Sequence, residues 1–510
     1  MTQVTAEAAT EAAPLRGGEL GRFLWTQLTS MRTALVLLFA LALAAIPGSL
    51  LPQRPVSPIR VKDWITDNPL VGPAFDAVGL FDVYASPWFA AIYLLLFISL
   101  IGCIIPRIGV YVRALNAPPP LTPKRLQRMP DYRTASTAEP AQSVLQAAEQ
   151  QLRSCGFRVR RLEDSVSAER GYTRELGNLV FHVSLVVMLI GLAWASLLGY
   201  KGNTIVVEGQ AFSNTLTQYD DLTTGAAFAP EQLDRFTIWV DQFDVKFETG
   251  PVQRGAARLF LAKVRVAEAG ETRPGVIEVN NPLIFGSSTV HLVGHGYAPV
   301  VTVRDGAGDV AFSGPVPFLP QDGNFTSLGV IKAPDARPSR LAFEGSFLPA
   351  TVTDELGTRS VFPDAVNPEL FLTAWTGPPR EETGAPENVY SLDKAGLVQL
   401  TEGEKKVAFR LKPGESFDLP GGGSISFDSW KRWTKLQVGH TPGLWLVLVS
   451  VLVAVTGLCL SLFIRPRRIW LRVVGDRVEV AGLERAEGRG GMDDELNELI
   501  EAATAGKGTT

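Results

Sequence analysis

The chain has 510 residues, room for several domains, with 48 Lys and Arg against 52 Asp and Glu and a net charge of −4. That near balance, with no basic aromatic patch, gives no sign of nucleic-acid binding. The three cysteines form no Cys-x-x-Cys pair, which excludes a disulfide framework, a thiol–disulfide relay motif and a covalent haem attachment site.

Hydrophobic residues make up 46% of the chain, high for a soluble protein, and the excess lies in four runs, 33–51, 87–105, 176–199 and 443–464. None contains Asp, Glu, Lys or Arg, and each approaches the roughly 20 apolar residues that cross a bilayer core. The fold class predicted is an α+β integral membrane protein. It has four transmembrane helices and a large, mostly β extracytoplasmic domain between helices 3 and 4.

In chain order, residues 1–22 are expected to be a disordered cytoplasmic tail. Residues 23–106 carry transmembrane helices 1 and 2 with an extracytoplasmic loop at 52–86. The first run is not read as a cleaved signal peptide, because its apolar core is long and Pro47-Gly48 leads into more membrane-type sequence. Residues 107–175 follow a Pro118-Pro119-Pro120 linker with a predicted helix at 141–155 and strand at 157–162, a small α/β cytoplasmic module. Helix 3 takes 176–199, the β-rich domain 201–440, helix 4 443–464, and a cytoplasmic tail 465–510.

Orientation follows from basic residues beside the runs. Arg107, Arg113, Lys124, Arg125 and Arg128 follow the second, and Arg465, Arg467 and Arg468 follow the fourth. By the positive-inside rule both segments lie in the cytoplasm, which puts both termini inside a plasma membrane and 201–440 outside it.

Alternating apolar residues predict strands at 236–247, 258–266, 276–279, 289–292, 300–303 and 407–411. An antiparallel sandwich or open barrel is expected, with unplaced loops at about 320–400. A strand pair is expected at 470–483 and an acidic amphipathic helix at 493–503.

Of four histidines, His182 lies in the first turns of the third run and His440 just ahead of the fourth. A neutral imidazole is a common metal or haem-iron ligand, whereas a polar ring at a membrane boundary is also an ordinary anchor. His291 and His295 share a strand face but stand about 13 Å apart at strand rise, too far for one ion unless the chain bends at Gly294. Trp88, Trp194, Trp445, Trp430 and Trp433 read as interfacial belt residues. Trp430 and Trp433 flank Lys431 and Arg432, which leaves a stacking or propionate-binding role open. The cysteines read as apolar filler.

Several stretches resemble the ResB/CcsB family of the system II cytochrome c biogenesis pathway. They are Trp25-Thr-Gln-Leu-Thr-Ser-Met-Arg-Thr-Ala-Leu, Pro47-Gly48-Ser49-Leu50-Leu51-Pro52-Gln53 and Leu176-Gly-Asn-Leu-Val-Phe-His182. Val279-Asn280-Asn281-Pro282-Leu283, Trp433 and Thr441-Pro442-Gly443-Leu444-Trp445 follow in the same order. The resemblance runs from about Phe23 to Val474.

It implies a cell-membrane partner of a ResC/CcsA-type protein, the two exporting haem and presenting it with apocytochrome c for covalent attachment outside. No catalytic site is expected in this chain itself, which would act within a haem-ligating (synthase) complex. His182 and His440 become candidate haem ligands, transient and shared with the partner, at opposite membrane faces roughly 30 Å apart. They would mark the two ends of a route. The alternatives are a buried imidazole satisfied by a neighbouring helix for His182 and a strand-to-helix turn for His440. The alternative for the whole chain is a structural membrane scaffold whose β domain binds an envelope partner without touching haem. A transporter of thiol reductant is disfavoured because no cysteine falls in 201–440. A receptor would need a cytoplasmic output domain, and 107–174 shows none.

Overall fold

The structure, a computed structural model, describes residues 17–379, 389–484 and 492–505. It divides into two compact units, Met1–Gly191 with Trp445–Thr510, and Leu192–Leu444. The helices are α1 (Gly17–Leu28), α2 (Met31–Leu50), α3 (Pro58–Asp67), α4 (Gly72–Ala77), α5 (Pro87–Asn116), α6 (Ala141–Ser154), α7 (Thr173–Leu198), α8 (Leu444–Phe463) and α9 (Asp493–Thr504). Four of them, α2, α5 over Pro87–Arg113, α7 and α8, are long and apolar enough to cross a membrane, and each carries one of the four apolar runs. The tail expected over 1–22 is helical from Gly17 on; residues 1–16 lie outside the described residues.

These helices begin where their caps dictate. The Ser30 hydroxyl accepts the Thr33 amide at the start of α2, and Ser86, with Pro87 behind it, accepts the Phe89 amide of α5. No residue of α2 is buried, and Leu35, Leu38, Phe39, Leu43 and Leu50 stand open. In a hydrocarbon solvent that exposure carries no cost, because lipid tails are as apolar as the side chains. Polar side chains instead join helices: Ser99 Oγ donates to the Leu28 carbonyl and Cys103 Sγ to the Thr29 carbonyl, at 2.6 and 2.7 Å.

Small residues let α7 and α8 approach. The buried residues of α7 are Gly177, Ser184 and Gly191, seven apart, and those of α8 are Ser450, Ala454 and Gly457. A Cβ on Gly457 would stand 2.7 Å from the Phe181 amide and 2.8 Å from the Gly177 carbonyl, and one on Gly177 would stand 2.6 Å from the Ser461 amide. These obstacles are backbone and cannot swing aside. Gly457→Ala should therefore cost about 1–3 kcal/mol. Thermal unfolding in detergent would read this as a lowered midpoint, while Leu462→Ala, at a 67% exposed site, should leave the midpoint unchanged.

Besides its helices this unit holds one five-stranded antiparallel sheet. Its order is Asp131–Ser136, Arg477–Glu484, Arg467–Val474, Ser165–Arg170, Arg158–Arg161. The segments expected as a separate module and tail thus share a sheet, with the hairpin that follows α8 at its centre. Helices α6 and α9 bury Val144, Leu145, Leu152, Leu496 and Leu499 against Val166, Ile469, Leu471 and Val480. Glu495 of α9 accepts from Arg170 at 2.9 Å and Arg467 at 2.7 Å, tying the helix to two strands. The proline linker before the sheet lacks amides but offers carbonyls. Ser167 donates to Pro120, and Arg472 to Pro123 and Lys124.

Unit Leu192–Leu444 is β-rich. Two 17-residue strands, Ser288–Arg304 and Ser424–His440, pair antiparallel along most of their length. The runs expected at 289–292 and 300–303 are one strand, continued through register shifts after Leu292 and Val300. The sheet order around them is Leu283–Phe285, Ser288–Arg304, Ser424–His440, Tyr200–Val207, Asp221–Thr224. A four-stranded sheet follows the order Ala211–Ser213, Phe236–Phe247, Ala257–Glu268, Glu271–Glu278. A further sheet holds Ser327–Ala333, Arg340–Leu348 and Glu369–Gly377 within the stretch expected as loops. One core gathers Ile238, Phe243, Val264, Val290 and Leu436, and another gathers Tyr297, Phe318, Phe343, Phe347 and Phe427. Each long strand contributes to both.

Candidate functional site

His440 closes the strand Ser424–His440 and pairs with Tyr200 across the ladder. Its Nδ1 lies 2.7 Å from the Ser287 carbonyl oxygen. A carbonyl only accepts, so Nδ1 carries a hydrogen, and it is Nε2 that has the lone pair in the corresponding tautomer. Ser287 sits in the two-residue turn Gly286-Ser287 that joins Leu283–Phe285 to Ser288–Arg304. Gly286 takes φ +56°, and a Cβ there would meet Asp234 Oδ1 at 2.5 Å. A glycine at the first position of such a turn suits the twist of the flanking strands.

Asp234 grips this turn. Its Oδ2 accepts the Ser287 amide at 3.0 Å, the Ser287 hydroxyl at 2.9 Å and the Ser288 hydroxyl at 2.5 Å. Burial pushes this carboxyl up, but the hydroxyls and amides of Ser288 and Ser287 outweigh it and hold it below its ordinary value. A chain of donors runs the same way. Tyr219 donates to Asn214 Oδ1 (2.5 Å), Asn214 Nδ2 to Tyr200 (3.4 Å), and Tyr200 to Ser288 Oγ (2.6 Å). Each bond polarises the next toward the carboxylate.

His182 is half-buried on α7. Its Nδ1 lies 2.7 Å from the Asn178 carbonyl one turn back, which again fixes the proton on Nδ1 and leaves Nε2 as the free donor atom. Phe181 meets the ring edge-on at 5.1 Å. At about 100° per residue, His182 lies roughly 140–160° around the helix from Gly177 and Ser184, away from the contact with α8. Both predicted histidines thus have the donor set an axial iron ligand needs, an Nδ1–H held by a carbonyl and a bare Nε2. They lie in different units.

The ResB-like family matches residues 31–497. The chain belongs to this family. Among its relatives is the cytochrome c biogenesis protein CcsB of Synechococcus sp. (strain WH7803), 26% identical over 464 residues, 89% of this chain and 92% of that protein. The CcsB of Synechococcus sp. (strain JA-2-3B'a(2-13)) is 27% identical over 58% of this chain and 64% of its own length, a little under two thirds. That of Gloeobacter violaceus is 28% identical over 52% and 54%.

In this ResB-like chain the other sequence candidates have different surroundings. His291 lies opposite Gln437 in the ladder. The bend at Gly294 is a register shift, and it leaves His295 among Phe243, Phe247, Phe260 and Phe325, whose rings lie 4.7–6.3 Å from it. Among the described residues no group of three or more His, Cys, Asp or Glu could hold a metal ion.

The belt reading of Trp430 and Trp433 is overturned. Trp433 is 3% exposed, and its indole N–H donates to the carbonyls of Tyr297 and Phe318 at 3.0 and 3.1 Å. Trp430 packs edge-on against Tyr297 at 5.4 Å. Arg432, beside which a propionate role was left open, has its guanidinium bound to Asp364 at 2.6 Å. Trp194 and Trp445 do stay exposed on α7 and α8.

Sequence reasoning missed Asp234, Ser287 and Ser288. The glycine-led turn between apolar runs was a usable hairpin signal for the two serines. No local signal joins Asp234 to a turn more than fifty residues on.

Proposed function

We propose that this chain is the ResB-type component of a membrane complex for c-type cytochrome assembly. The complex exports haem and presents it with apocytochrome c for covalent attachment outside the membrane. The family match over residues 31–497, with relatives named as cytochrome c biogenesis proteins, is the observation that carries the reading.

In this reading α2, α5, α7 and α8 span the plasma membrane. Arg107, Arg465, Arg467 and Arg468 keep both termini in the cytoplasm, and Leu192–Leu444 lies outside. A ResC/CcsA-type membrane protein is the partner. His182 offers Nε2 to haem near the inner face, on the side of α7 turned from α8 and open to that partner. His440 offers Nε2 at the outer boundary of α8, where apocytochrome would be met. Two imidazoles so placed act in succession, as entry and exit.

The test is co-purification with the ResC-type partner, followed by absorption spectra of wild type, His182→Ala and His440→Ala. A Soret band in the wild type, lost or shifted in each variant, is the expected result. A Soret band unchanged by both substitutions would make the chain a scaffold that never touches haem. Failure of the two proteins to associate would remove the assembly role itself.

A further inference from the structure

We infer that Asp234 is a positioning residue for His440, acting through the Gly286-Ser287 turn; this rests on the haem role proposed for His440. The imidazole is oriented by one hydrogen bond, to the Ser287 carbonyl. That carbonyl belongs to a two-residue turn with few ways of being held. The carboxylate supplies the hold, since one oxygen takes three donors from Ser287 and Ser288. Gly286 lets the other oxygen close in, because any side chain would fill that space.

The arrangement is a relay of position, carboxylate to turn to carbonyl to Nδ1–H. Metal-binding histidines commonly have their second nitrogen held in this way, which fixes ring orientation and raises the basicity of the ligating nitrogen. Here the carboxylate stands one peptide further out. Ser288 is fully buried and Asn214 and Tyr200 are 5% and 4% exposed, so the anchor of the relay is sheltered while the imidazole at its end is half open. The contacts of Asp234 all serve the turn and the donor chain from Tyr219.

Loss of the carboxylate frees the Ser287 carbonyl, and the imidazole then loses its fixed tautomer and aim. Were His440 to hold haem iron, its imidazole would then be a weaker donor, which would favour the reduced iron and raise the midpoint potential.

The experiment uses the full chain purified with its partner and compares wild type, Asp234→Ala, Asp234→Asn and His440→Ala by Soret position, reduced spectrum and midpoint potential, with thermal unfolding alongside. Asp234→Ala should shift the Soret band in the same direction as His440→Ala and raise the potential. Asp234→Asn, which keeps an oxygen acceptor, should lie between it and wild type. If His440→Ala alters the spectrum while both Asp234 variants keep the wild-type band and potential, Asp234 positions nothing and the inference is overturned. If Asp234→Ala does not fold, Asp234→Asn alone decides, and an unchanged potential in it overturns the inference. If His440→Ala changes nothing, the haem role of His440 has failed and this inference falls with it, a result distinct from the first.

Discussion

Trp433→Ala should destabilise the protein by about 3–5 kcal/mol, the range for emptying a buried aromatic site. The indole is 3% exposed and lies against Gly296, where a Cβ would be 2.9 Å from Nε1. Removing it leaves a cavity beside Val207 and Ala298 and strips the carbonyls of Tyr297 and Phe318 of their shared donor. Trp433→Phe separates the two contributions. It keeps most of the apolar volume and removes the indole donor from the Phe318 carbonyl, while the Tyr297 carbonyl keeps the Phe318 amide at 2.9 Å, so it should cost about 1–3 kcal/mol. Chemical denaturation of the detergent-solubilised chain would measure both. A loss below 1 kcal/mol for Trp433→Ala would mean that the ring is not a core residue.

The second expected result concerns acid. Burial among four phenylalanines, with the Arg432 guanidinium nearby, pushes the His295 imidazole down to about 4 from its ordinary 6.5. The unfolded chain takes up a proton as pH falls through about 6.5, whereas the folded protein resists until about 4. Stability from the neutral ring is therefore complete above about 6.5 and drains away as pH falls toward 4. The change is about 3 kcal/mol over that window, and nothing further is lost below it. His295→Phe fits an aromatic surround and has no proton to accept. Unfolding free energies of wild type and His295→Phe should diverge by this amount between pH 7 and 4, the difference isolating His295 from every carboxylate that titrates alongside. Parallel pH profiles would show that the ring is not shielded as its neighbours imply.

The apolar helices were legible because bilayer thickness leaves so few alternatives: a run of about twenty uncharged residues has one common reading. The strand Phe236–Phe247 was legible by its alternation. The long strand Ser288–Arg304 was legible only as two short runs, because Gly294, Gly296 and Pro299 interrupt its alternation, and irregular pairing absorbs them without ending the strand. Trp430 and Trp433 misled for a related reason. Aromatic and basic residues shortly before a span look interfacial, but in extended chain Trp433 stands about 23 Å from His440. The histidines were picked out by rarity and place, and the structure adds what no sequence shows, that each Nδ1 is committed to a carbonyl. Pairing between residues 131–170 and 467–484 was beyond local pattern altogether, since nothing in either segment names the other.

That shared sheet sets an order on how the protein is made. The strands that flank its central hairpin, Asp131–Ser136 and Ser165–Arg170, leave the ribosome early, while the hairpin that pairs with both comes after the whole of Leu192–Leu444. At roughly 5–20 residues per second the two early strands wait on the order of tens of seconds with their inner edges unpaired. During that time they are templates for any passing strand. A ribosome that stalls before Arg467 therefore releases a chain whose membrane helices are nearly complete and whose sheet has no middle. The hairpin Arg467–Glu484 acts as a seal on the strands made before it, and a copy that lacks it is left with open strand edges.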